Sequence, residues 1–87
     1  MKTPVLFRRD RGGEITAVLP DVEANAYELT CYAHVGQHSA CTRDWYVTTR
    51  AAKPAEYADL LAELTQIYGP MEVKRRLGRG AFARWAR

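Results

Sequence analysis

Serine occurs once in this chain of 87 residues, at Ser39. Thiols and imidazoles are equally scarce: two cysteines, Cys31 and Cys41, and two histidines, His34 and His38. Long apolar runs are missing too, and none approaches the roughly 20 residues of a membrane-spanning helix. The opening MKTPVLFRRD holds three apolar residues in a row and then two arginines, which is not the apolar centre of a signal peptide. The expected compartment is therefore the cytoplasm, where thiols stay reduced. No acid follows Glu72. No Gly-rich phosphate loop is present, because Gly12-Gly13 suits a turn and Gly78 and Gly80 flank an arginine without the P-loop pattern.

What is present is an ordinary globular balance, 47% hydrophobic and 26% charged, which argues against a disordered chain. A chain this short buries about 60% of its unfolded surface, so its stability should be modest. The charge is uneven. Residues 1–72 hold seven basic and ten acidic side chains, whereas residues 73–87 hold six basic ones and no acid. A mildly acidic body carries a basic end. The expected division is a single domain over residues 1–77 and a basic tail over 78–87.

Two β-rich runs, PVLFRR and EITAVLP, flank DRGG and predict a hairpin. If odd positions pair with odd, Val5 and Phe7 share a face with Ile15, Ala17 and Leu19. AYELTCYAHV alternates, with Tyr27, Leu29, Cys31, Ala33 and Val35 on one face and Glu28, Thr30, Tyr32 and His34 on the other. CTRDWYVTT is expected to be its partner strand, placing Tyr46 opposite in face to Cys41, Trp45 and Val47. KPAEYADLLAELTQIYGP is the clearest helix: Tyr57, Leu60, Leu61, Leu64, Ile67 and Tyr68 form one stripe. Pro54 suits its first position, and Gly69-Pro70 ends it. MEVKRRL predicts a last strand. The expected fold is α+β in the order β-β-β-β-α-β, a small, mostly antiparallel sheet with one amphipathic helix on one face and the other face open to solvent.

The stretch CYAHVGQHSAC has residue types that bind zinc, Cys31, His34, His38 and Cys41. The spacing is not the usual one. In a hairpin that sets His34 opposite His38, Cys31 opposes Cys41, but residues three apart on a strand face opposite ways. The cysteines then point into the core beneath the helix and the histidines point out, so no metal or other cofactor is expected unless a bulge reverses the parity. The same separation denies a Cys-His pair its hydrogen bond, so no catalytic residues are assigned and a non-enzymatic protein is expected.

The basic end interleaves arginine with aromatics. Lys74, Arg75, Arg76, Arg79, Arg84 and Arg87 suit phosphates, and Phe82 and Trp85 suit stacking on unpaired bases. RNA or single-stranded DNA is the expected partner. Against this stands a plainer reading, in which the C-terminus folds onto its own core and the arginines form a solvated rim. A second site is the open sheet face with Tyr32, His34 and Tyr46, fit for a protein partner or a homodimer.

FRRDRGGEITAVLP, CYAHVGQHSAC and KPAEYADLLAELTQIYG together resemble small uncharacterised proteins of bacteria and their phages. The likeness covers most of residues 5–75 and not the tail. It implies a compact intracellular domain of a mobile element and carries over no activity.

Overall fold

A computed structural model describes residues 2–23, 29–33 and 38–78. The elements run β1 (Thr3–Arg9), β2 (Ile15–Glu23), β3 (Leu29–Tyr32), β4 (His38–Cys41), α1 (Arg43–Val47), β5 (Arg50–Ala51), α2 (Pro54–Tyr68) and β6 (Met71–Val73). Among the described residues, six strands join in one sheet of order β4-β3-β2-β1-β5, with β6 also on β1. All neighbours are antiparallel except β1 and β6. The α+β class is as expected from the pattern. No described helix is long and apolar enough to cross a membrane.

The first hairpin has the expected register, with Phe7 opposite Ala17. Its turn closes through Gly13, whose amide donates to the Asp10 carbonyl at 3.0 Å and whose φ of 86° favours glycine. The Asp10 side chain accepts from the Glu14 amide at 3.0 Å. Helix α2 spans the predicted stripe. Pro54 occupies its first turn, and Gly69 ends it at φ 80°, ψ −154°. Leu60 and Leu64 are buried, with Tyr57, Leu61 and Tyr68 packed beside them. Ile67, at the edge of the stripe, is 48% exposed.

Among the described residues, both faces of the sheet carry a buried cluster, so the expected open face is corrected. Val5, Phe7, Ala17, Leu19 and Tyr32 pack beneath α2, while Leu6, Val18, Leu29, Cys31 and Cys41 pack beneath Tyr46, Trp45 and Leu77 on the opposite side. The reason is local. The fourth strand stops at Cys41, and Thr42 caps a helical turn instead, its hydroxyl accepting from the Trp45 amide at 3.3 Å. Asp44 in that first turn suits the positive end of the helix. The turn swings Trp45 and Tyr46 under the sheet. The chain returns to the sheet as the two-residue β5, which the pattern did not predict.

Both short strands lie along the same side of β1. β5 runs antiparallel against Arg8 and Arg9, and β6 runs parallel against Thr3, Pro4 and Val5. They end facing each other: the Ala52 amide donates to the Phe7 carbonyl and the Lys74 amide to the Val5 carbonyl, both at 2.8 Å. Beyond this point one chain turns up into α2, and the other passes through Lys74, Arg75 and Arg76 to the buried Leu77.

Candidate nucleic-acid interface

The gap between the ends of β5 and β6 is a cleft of about 540 Å³. Ala51 and Ala52 keep it open because their side chains are small. Phe7 and Tyr57 line its apolar part, stacked with ring centroids 4.3 Å apart and planes 9° from parallel. Pro54 and Val73 extend that part, Arg50, Lys53, Lys74 and Arg75 line the polar part, and no acidic side chain is among the lining residues.

These cations are not equivalent. Arg50 is committed to Glu56: its Nη2 lies 2.9 Å from Oε2 and its Nη1 3.1 Å from Oε1. Arg9 Nη1 reaches the same carboxylate at 2.5 Å, and the Lys53 backbone amide donates to it at 2.8 Å. Glu56 thus fills the positive end of α2 with the protein's own anion. Its carboxyl is held down at about 2, first by Arg50, then by the Lys53 amide, with Arg9 adding to both. Lys74 approaches Glu72 at 3.4 Å, a solvated pair of small energetic weight. Among the described residues, no carboxylate pairs with Lys53 or Arg75.

The structure holds three of the expected nucleic-acid residues, Lys74, Arg75 and Arg76, as exposed side chains on a bridge fixed at both ends. The Lys74 amide ties it to β1, and Leu77, 8% exposed, ties it to the face covered by α1. Arg79, Phe82, Arg84, Trp85 and Arg87 lie outside the described residues. Arg50, Lys53, Phe7 and Tyr57 were not expected at a site. A signal for one of them exists in the sequence: α2 opens Lys53-Pro54 where a helix of this kind ordinarily opens on serine, threonine or aspartate.

The proposed interaction face of Tyr32, His34 and Tyr46 is corrected. Tyr32 is 1% exposed beneath α2, and Tyr46 is 7% exposed on the other side of the sheet. Tyr32 takes the α2 side because it stands opposite Ala17, whose small side chain leaves room for the ring. Its hydroxyl donates to the Glu63 carboxylate. His34 lies outside the described residues.

The cysteines are also displaced from their expected place. The β3–β4 register is two residues away from the expected one, so Cys31 stands opposite Ser39 and Cys41 opposite Leu29. Both thiols are buried, on the side away from α2. Cys41 donates to the Leu29 carbonyl at 3.3 Å. The Cys31 thiol is pushed far up, first by its hydrogen bond with Cys41, then by burial and by the charge Cys41 would carry. His38 sits on the α2 side, its ring edge-on to Tyr32 at 4.7 Å and its Nε2 2.8 Å from the Tyr68 hydroxyl. The described members of the Cys-His set therefore occupy opposite sides of the sheet. Among the described residues, no three His, Cys, Asp or Glu side chains gather as metal ligands.

Comparison with protein-family models, with curated proteins and with solved structures finds no match to this chain.

Proposed function

We propose that this protein binds nucleic acid, without acting on it chemically, through the basic surface formed by Lys53 and the bridge Lys74–Arg76. One observation carries the reading: Lys53, Lys74 and Arg75 converge, beside the Glu56-paired Arg50, on a cleft that has two stacked aromatic rings in its wall and no acid among its lining residues. Arginine and lysine neutralise phosphates and release their counterions, which favours binding to any polyanion. The aromatic wall adds a preference for nucleic acid, since bases have faces to stack and simple polyanions do not. The uneven charge of the sequence supports the same surface, because the six cations beyond residue 72 begin at its rim.

The test is binding of labelled single-stranded DNA and RNA across a salt series, by the full chain and by a chain ending at Leu77. Binding that weakens steeply with salt, with a log–log slope of roughly three or more, supports the reading. Binding kept by the shorter chain assigns it to the cleft and the bridge rather than to residues 78–87. No salt-dependent binding by either chain overturns the reading.

A further inference from the structure

We infer that the cleft between β5 and β6 receives one unpaired nucleotide of a single strand, its base against Tyr57 and its phosphate between Lys53 and Arg75. This rests on the nucleic-acid reading and adds to it a ligand class and a division of labour. Size comes first. A volume of about 540 Å³ falls inside the roughly 300–1,000 Å³ of pockets that enclose small ligands. It is too confined for a paired helix and has room for one nucleotide.

Shape points the same way. Reading a duplex calls for an element that enters a groove. Among the described helices, α2 lies on the sheet with Leu60 and Leu64 buried, and α1 has five residues with Tyr46 buried beneath the opposite face. The cleft is concave instead, a shape that suits a base swung out of a strand. Tyr57 is already fixed by its stack on Phe7, so no side-chain freedom is lost when a base joins it.

The cations then sort by what they already hold. Arg50 is saturated by Glu56, and the amide of Lys53 is used by the same carboxylate, so neither Arg50 nor the start of α2 is left to take a phosphate. Lys53 and Arg75 have no carboxylate partner among the described residues and stand on the two chain segments that diverge from the cleft. A phosphate between them would bridge the end of β5 to the end of β6.

The test uses the full chain, a labelled oligothymidylate, a blunt duplex of equal length, and an oligothymidylate carrying one iodinated uracil for photocrosslinking. Tyr57→Leu keeps an apolar contact with Phe7 and removes the stacking ring. We expect it to weaken single-strand binding about 10-fold, within the range that loss of one stacked base gives, and to leave the salt slope unchanged. Lys53→Gln should weaken binding and reduce the salt slope by about one. Arg43→Gln, an exposed cation on α1, should change neither. The crosslink should fall on the peptide containing Tyr57. If Tyr57→Leu fails to fold, the crosslink and Lys53→Gln decide. Single-strand binding that survives Lys53→Gln unchanged, with the crosslink elsewhere, overturns the cleft and leaves the nucleic-acid reading standing. Equal or tighter binding of the blunt duplex also overturns the inference. Absence of binding to every probe overturns both.

Discussion

The guanidinium of Arg8 lies 4.3 Å from the centroid of the Tyr46 ring. It also donates to the Thr49 hydroxyl at 2.8 Å and to the Thr49 carbonyl at 2.6 Å. One side chain on β1 thus holds both the Tyr46 ring of α1 and Thr49, two residues beyond the helix. Lysine has a single charged point in place of the planar fork and cannot reproduce all three contacts. Arg8→Lys should destabilise the fold by about 1–2 kcal/mol, from lost cation–π and hydrogen-bond contributions. Urea unfolding checks this, and an unchanged midpoint would show that α1 is held by the burial of Tyr46 alone.

Glu56 predicts a pH dependence with a definite sign. Its carboxyl sits at about 2, below the ordinary 4.5, so the folded state favours its charged form. That contribution is present in full above about pH 4.5 and is lost as pH falls toward 2. Glu56→Gln lacks it. The stability gap between the two proteins should be widest above pH 4.5 and close toward pH 2. A gap that stays constant on acidification would mean that the charge of Glu56 contributes nothing.

Gly69 ends α2 at φ 80°, ψ −154°, a backbone region that side-chain-bearing residues hardly enter. Nothing lies within 4 Å of the Cβ an alanine would add, so the cost is in the backbone alone. Gly69→Ala should lose about 1–3 kcal/mol. Gly78→Ala, equally unobstructed, should change stability by less than about 0.5 kcal/mol. Thermal unfolding of the two variants separates backbone strain from crowding.

Leu64 and Ile67 belong to the same stripe in the sequence but not to the same environment. Leu64 is 0% exposed and Ile67 is 48% exposed. Leu64→Ala should cost about 2–5 kcal/mol, and Ile67→Ala less than about 0.5 kcal/mol apart from its small propensity effect. Equal losses at the two positions would place Ile67 in a contact this fold does not contain.

Burial and the raised Cys31 thiol predict slow modification. A thiol reagent at mildly alkaline pH should leave the native protein almost unlabelled and take up two equivalents in denaturant, one for each cysteine of the chain. Rapid labelling of the native protein would contradict the burial of Cys31 and Cys41.

The helix and the first hairpin were legible because each rests on a local rule. Tyr57 to Tyr68 follow the helical period, and DRGG sits between two β-rich runs. The second face of the sheet was legible too, had the runs Val5-Leu6-Phe7 and Ala17-Val18-Leu19 been taken as they stand. Three consecutive apolar residues on a strand require cover on both sides, and all six are buried. What misled was Trp45-Tyr46-Val47, which has the composition of a strand. The Thr42 cap and Asp44 outweigh it, and Arg8 supplies a partner for Tyr46 that no local pattern announces. The cleft was illegible for a related reason. Phe7, Lys53 and Lys74 come together only because β5 and β6 share one side of β1, and that is a property of topology.

The same sharing sets the order in which the chain can complete itself. β1 is synthesised first, yet its pairing with Met71–Val73 joins residues 68 positions apart, beginning at Thr3 and Met71. Until then the outer side of β1 around Thr3 to Val5 offers unpaired amides and carbonyls, an invitation to other strands. The two-residue β5 and Ala52 behind it, arriving first, shield only Phe7, Arg8 and Arg9. Growth on the ribosome therefore leaves half of that side bare until β6 emerges, and this is the interval in which the chain is most open to mispairing.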